Sequence, residues 1–153
     1  MTRNPEATLP AVQAGHRRVL TLLDPPELYD PASNGYSHVA SVAGAGRWVF
    51  VAGQGGETVH GRLSPAFRAQ VRQALANLLR ALSAAGAAPA DVVKLTVLVV
   101  DHDHARLRIF GEELGRAFGG HRPACTLIPV PRLALDGMLF EIDAVAVPAG
   151  EAP

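Results

Sequence analysis

The chain has 153 residues, close to half of them hydrophobic, with 14 basic and 14 acidic residues that cancel. That length and balance predict one packed domain and argue against disorder, while the lack of a basic stripe interleaved with aromatics argues against a nucleic-acid partner. One cysteine, Cys125, excludes an internal disulfide and a four-cysteine metal site.

Residues 1–15 are polar, carry two prolines and a glycine, and read as a flexible N-terminal extension ahead of a single domain over 16–153. They lack the apolar run of a signal peptide, and VVKLTVLVV at 92–100 is too short to span a bilayer. The expectation is a cytoplasmic protein with no membrane partner. His16 to Leu23 holds a short strand. DPPELYDPASNGYS (24–37) is a proline-rich loop whose aromatic and polar residues suit the lining of a site. His38–Ala43 and Arg47–Gly53, joined by Gly44-Ala45-Gly46, predict a β-hairpin. Trp48 on it reads as core. Gln54-Gly55-Gly56 follows, where glycine lets backbone approach a ligand.

Ser64 and Pro65 predict the N-cap and first turn of a helix with an apolar face of Phe67, Val71, Ala74, Leu75, Leu78 and Leu82, ending at Gly86. Arg68, Arg72 and Arg80 fall off that face and read as solvated, and Asn77 reads as a structural hydrogen-bonder. Asp91–Val100 predicts a strand buried on both faces apart from Lys94. Asp101-His102-Asp103-His104 has metal-ligand residue types, but neighbours on a strand-to-helix turn rarely converge on one ion, and Asp103 fits a helix N-cap. Leu107, Phe110, Leu114 and Phe118 give the second helix its stripe. Two strands close the chain, about 123–130 and 138–147, with a turn at Leu135-Asp136-Gly137. In the last strand Phe140, Ile142, Ala144 and Ala146 alternate with Glu141, Asp143 and Val145. A carboxylate such as Glu141 among apolar neighbours loses solvation, which suits it to moving protons; the alternative is a face that is simply wet.

The order β–β–β–α–β–α–β–β predicts an α+β two-layer sandwich, two helices packed on one mixed sheet. The other sheet face then needs a cover, and a second copy of the chain is the natural one.

Four segments resemble the Rid (YjgF-type) family of reactive-intermediate imine/enamine deaminases: Gly35-Tyr36-Ser37-His38, FVAGQGG (50–56), QALANLLRALSAAGAAPADVVKLTVLVVD (73–101) and FEIDAVAV (140–147). The resemblance spans about residues 17–147. It implies a chorismate-mutase-like fold, a homotrimer and ligand clefts between subunits. It also implies hydrolysis of small imines and enamines to carbonyl compounds and ammonia, without metal or organic cofactor. By the resemblance, Tyr36 matches the family's cleft tyrosine and Glu141 its water-positioning glutamate. The family arginine that holds a substrate carboxylate is missing: Pro123-Ala124-Cys125-Thr126 stands where the family has P-A-R-S or P-A-R-T. A planar two-pronged cation is replaced by a small thiol.

The site expected from these readings has Glu141, Cys125 and Tyr36 as catalytic residues and Gly53, Gln54, Gly55, His38 and Thr126 around a small-molecule metabolite. Arg122 or Arg132 is a candidate for the missing charge. Two further readings stay open: a non-catalytic trimer that binds a metabolite or partner, and a redox or nucleophilic role for Cys125, for which the sequence does not say whether His38, His102 or His121 comes close.

Overall fold

The computed structural model describes residues 18–44 and 46–149; the segment 1–15 singled out in the sequence lies outside them. The strands are β1 (Val19–Leu23), β2 (Val39–Ala43), β3 (Val49–Gly55), β4 (Val92–Val100), β5 (Ala124–Val130) and β6 (Phe140–Ala146), with helices α1 (Phe67–Ala84) between β3 and β4 and α2 (His104–Phe118) between β4 and β5. The order is the one the periodicities predict.

The pairing differs in one respect. β3, β6, β4 and β5 form a four-stranded mixed sheet in that spatial order, antiparallel except for β4 with β5. β2 does not pair with β3 in the predicted hairpin; it pairs with β1 in a separate antiparallel ribbon. The glycines explain the departure. Gly44 has a φ of 92°, and a Cβ on Gly46 would sit 2.8 Å from Val147 Cγ1, so the chain turns away from β2 and runs in close contact with β6. The ribbon sits by the starts of β4 and β5: Arg18 pairs with Asp91 at 3.2 Å, and the Ser37 N–H donates to the Pro123 carbonyl at 3.2 Å.

Both helices cover one face of the sheet. Leu78, Leu82, Leu95, Val97, Phe140 and Ile142 have no exposed surface there. Burial of this set is the main driving force for the fold. Gln70, also fully buried, has both ends of its amide paired: its nitrogen donates to the carbonyls of Ser64 and Gly137, each at 2.7 Å, and its oxygen accepts the Leu139 N–H at 2.8 Å. Because Gln70 holds the Ser64 carbonyl, the chain stays extended through Ala66, and α1 begins two residues later than its Ser-Pro signal suggests; the Ser64 hydroxyl instead accepts the Ala66 N–H.

The helices are tied by charge. Glu113 on α2, 4% exposed, accepts from Arg72, Arg68 and Arg116 at 3.0, 2.6 and 2.7 Å. Arg68 and Arg72 are therefore interhelix clamps and not merely solvated residues. The hydrogen bond from Arg72, with those from Arg68 and Arg116, holds the Glu113 carboxyl down at about 2.

Among the described residues, the second sheet face is covered only at one end, where Val100 follows Leu98 and packs with Leu133 and Met138. Elsewhere Lys94, Thr96 and Leu98 on β4 are half-exposed, so β4 is buried on one face and not on both. Trp48 and Phe50 stack at 6.4 Å on this open side and are 55% and 75% exposed; Trp48 is not core in the single chain.

Candidate functional site

Register divides the expected site residues between the two faces. Cys125 lies beside Leu95, which lies beside Ala144, so the thiol is on the helix-covered face. Glu141 lies beside Leu98, and Leu98 beside Ile128, which puts the carboxylate on the open face. Thr126, one residue from Cys125, also points to the open side, where its hydroxyl accepts from Lys94. Within one chain, Glu141 and Cys125 do not meet.

On the helix side, Cys125 and Tyr36 line a cleft of about 280 Å³ together with Tyr29, Asn34 and His102, over a floor of Leu107, Phe110 and Leu127. The 24–37 loop supplies the two tyrosines and Asn34, and the β4–α2 turn supplies His102. The hydroxyls of Tyr29 and Tyr36 are in contact. His38 does not line the cleft; it braces it. Its ring stands edge-on to both tyrosines, with centroids 5.0 and 5.7 Å away, and its Nε2 bonds the Tyr29 carbonyl at 2.8 Å. Burial pushes the Cys125 thiol up to about 11, against a weaker downward pull from Lys94. The cleft therefore presents a neutral S–H at physiological pH. Among the described residues, no Arg, Lys, Asp or Glu lines it. Arg122 stands 4.0 Å from Asp24, and Arg132 pairs with Asp136 at 3.5 Å with 75% of its side chain exposed; neither reaches the cleft.

On the open side, β3 bulges between Val51 and Gln54, so Ala52 and Gly53 together oppose Asp143. The Glu141 carboxyl lies against Gly53 in the space a Cβ would fill. A side chain at 53 would displace the Glu141 carboxylate, and the backbone angles there do not themselves call for glycine. Gln54 folds back, its amide donating to the carbonyls of Ala52 and Gly53 at 3.0 and 3.3 Å. Gly55 is buried, with Met138 and Glu57 where its Cβ would go, and the Asn77 amide donates to the carbonyls of Gly55 and Glu57 at 3.1 and 2.9 Å. Asn77 is the structural hydrogen-bonder its sequence position suggests.

Asp103 caps α2, accepting the Arg106 N–H at 2.7 Å, and this bond lowers its carboxyl. His104 is exposed while His102 turns into the cleft, so these two histidines part company. Tyr29 and Asn34 were not among the expected site residues, though the polar-aromatic content of the 24–37 loop signalled them. His102 was one of three histidines that the sequence could not place relative to Cys125, and the cleft brings it there.

Two helices packed on one mixed sheet are a fold that this chain shares with known proteins. The family described as endoribonuclease L-PSP matches residues 28–148. The chain belongs to this family, the Rid, YjgF or RutC group. It is 38% identical over 109 residues to a RutC family protein of Pyrococcus horikoshii, covering 67% of this chain and 80% of that one. Among solved structures it is similar to the Rid protein YyfB of Yersinia pestis, at 37% identity and a TM-score of 0.79 over 85% of this chain and 98% of that one. It is also similar to E. coli TdcF with bound serine, at 26% identity and a TM-score of 0.61 over 74% of this chain and 88% of that one. No helix among the described residues is long and apolar enough to cross a membrane.

Proposed function

We propose that the protein is a small-molecule hydrolase of imines or enamines. In this reading it assembles as a homotrimer of chorismate-mutase-like subunits, and each site joins the Cys125–Tyr36 cleft of one copy to Glu141 and Gly53 of the next. The observation that carries the reading is the division of the expected site between opposite sheet faces. Two half-sites on opposite faces of one sheet can meet only between copies, and the exposed Trp48–Phe50 stack beside Glu141's face is the kind of surface that a second copy covers. Serine in the related TdcF structure supports a small polar metabolite as ligand.

The chemistry needs little. Water adds to the imine carbon, Glu141 takes a proton from that water, and the proton passes to the nitrogen. The C–N bond then breaks as the hydroxyl proton also passes to nitrogen, leaving a carbonyl compound and ammonia. An enamine first gains a proton at carbon. No electrons are exchanged with a second reagent. Tyr36 orients the ligand. Because Cys125 replaces a guanidinium with a neutral thiol, the substrate is not one held by its carboxylate at that end. The uncharged cleft and zero net charge also disfavour RNA cleavage, which would need cations against phosphate.

The test is hydrolysis of imines released in situ, both 2-aminoacrylate from a serine dehydratase and uncharged imines from an amine oxidase, by wild type and Glu141→Gln. Wild type should accelerate an uncharged imine and the variant should not. Equal rates for the two proteins across the panel would remove the hydrolase reading in favour of a binding module.

A further inference from the structure

Among the residues that line the cleft, His102 carries a buried ring nitrogen that the fold leaves unpaired. Two other part-buried histidines are each held by a backbone carbonyl: His38 Nε2 by Tyr29 at 2.8 Å and His121 Nε2 by Val92 at 2.7 Å. His102 Nε2 is buried with no hydrogen-bond partner among the described residues. Buried polar atoms are nearly always paired, so an orphan on a cleft-lining residue needs an explanation, and a ligand supplies one. The backbone before it is unusual as well. Asp101 has a φ of 48°, the only non-glycine residue of positive φ among the described residues. This left-handed turn at the end of β4 swings His102 toward Cys125 while Asp103 stays in place to cap α2.

The remaining lining decides the ligand class. Phenols, an amide, a thiol and three apolar side chains carry no full charge. A carboxylate lodged there would be buried without a counter-ion, which is costly, whereas an uncharged polar group loses little if it is hydrogen-bonded. The full charges nearby lie outside, in an adjoining groove of about 360 Å³ that shares Asn34 and Leu107 and carries Arg108 and Glu112.

We infer that His102 is the specificity-determining residue of this cleft: its imidazole hydrogen-bonds an uncharged carboxamide or carbonyl group of the ligand, so the cleft selects neutral substrates over the corresponding acids. The inference rests on the reading of this cleft as the substrate-binding half of a hydrolase.

Pyruvamide and pyruvate, equal in size and differing in charge, are the probes. Their affinities are measured by NMR titration of the full chain at neutral pH, for wild type, His102→Leu and His102→Gln. Wild type should prefer pyruvamide by roughly tenfold or more, the leucine variant should lose the preference, and the glutamine variant, which keeps a hydrogen-bonding group, should retain part of it. Binding of neither probe, a preference for pyruvate that depends on His102, or an amide preference unchanged in both variants would overturn the inference. If Glu141→Gln leaves imine hydrolysis untouched while the amide preference still depends on His102, the hydrolase reading fails and the assignment of His102 stands.

Discussion

The two faces of the four-stranded sheet are built from the same strands, residue by residue in alternation, yet they differ in almost every property. Leu95, Val97, Phe140 and Ile142 on one face are fully buried under α1 and α2; Phe50 on the other is 75% exposed. One face is finished within the chain. The other carries Glu141 against Gly53 and an aromatic stack open to solvent. Period-two alternation can therefore serve two ends in one strand, a core on the even residues of β6 and a candidate half-site on the odd ones.

The largest effect that sharpens this contrast is on stability. Phe140→Ala should cost about 3–5 kcal/mol in urea denaturation, and Phe50→Ala no more than about 1 kcal/mol in the folding of the single chain. The second substitution should instead weaken self-association in sedimentation. Equal costs would erase the distinction between the faces.

Glu113→Gln comes next. Its carboxyl sits at about 2 in the folded protein against an ordinary 4.5, so the stabilisation is complete above pH 4.5 and is lost as pH falls toward 2. Arg72 and Arg116 are about 60% exposed, and solvent screening trims the contribution to about 1–2 kcal/mol. The variant should melt earlier at neutral pH and show a flatter acid limb between those two pH values. A parallel shift of the whole curve would mean that the ion cluster contributes nothing through its charge.

Gly53→Ala is a change on the open face alone. The added methyl takes the space of the Glu141 carboxyl, so imine hydrolysis should fall by about a hundredfold with little change in melting temperature. Unchanged turnover would remove Glu141 from the chemistry. The smallest signal belongs to the covered face: with the Cys125 thiol at about 11, only about a thousandth is thiolate at pH 8, so iodoacetamide should label the folded protein slowly, faster by about tenfold per pH unit. Rapid labelling at neutral pH would revive a nucleophilic role.

The order of elements was legible in the sequence because each carries its own local period, and so were the α2 cap at Asp103, the Leu135–Gly137 turn and the inward face of β6. What was not legible depends on partners distant in the chain. β2 pairs with β1 rather than β3 because Gly46 meets Val147, 101 residues further on. Arg68 and Arg72 look solvated on α1 and are bound because Glu113 lies across on α2. Tyr36, Cys125 and Glu141 could be matched by motif, but their separation onto two faces follows only from strand register. His102 was hidden for the same reason: its role is set by the left-handed turn at Asp101 and by the tyrosines of a loop some seventy residues earlier.

In the proposed assembly each site draws on two copies of the chain. Mixing settles it. Glu141→Gln lacks the proton carrier, and Cys125→Phe fills the cleft; each alone should be inactive on whichever imine wild type hydrolyses best. Unfolded and refolded together in equal amounts, they should recover activity at about a quarter of the sites, those where an intact cleft meets an intact glutamate from its neighbour. A mixture as inactive as its parents, with mixed oligomers demonstrated by mass, would contradict the claim and return the site to a single chain.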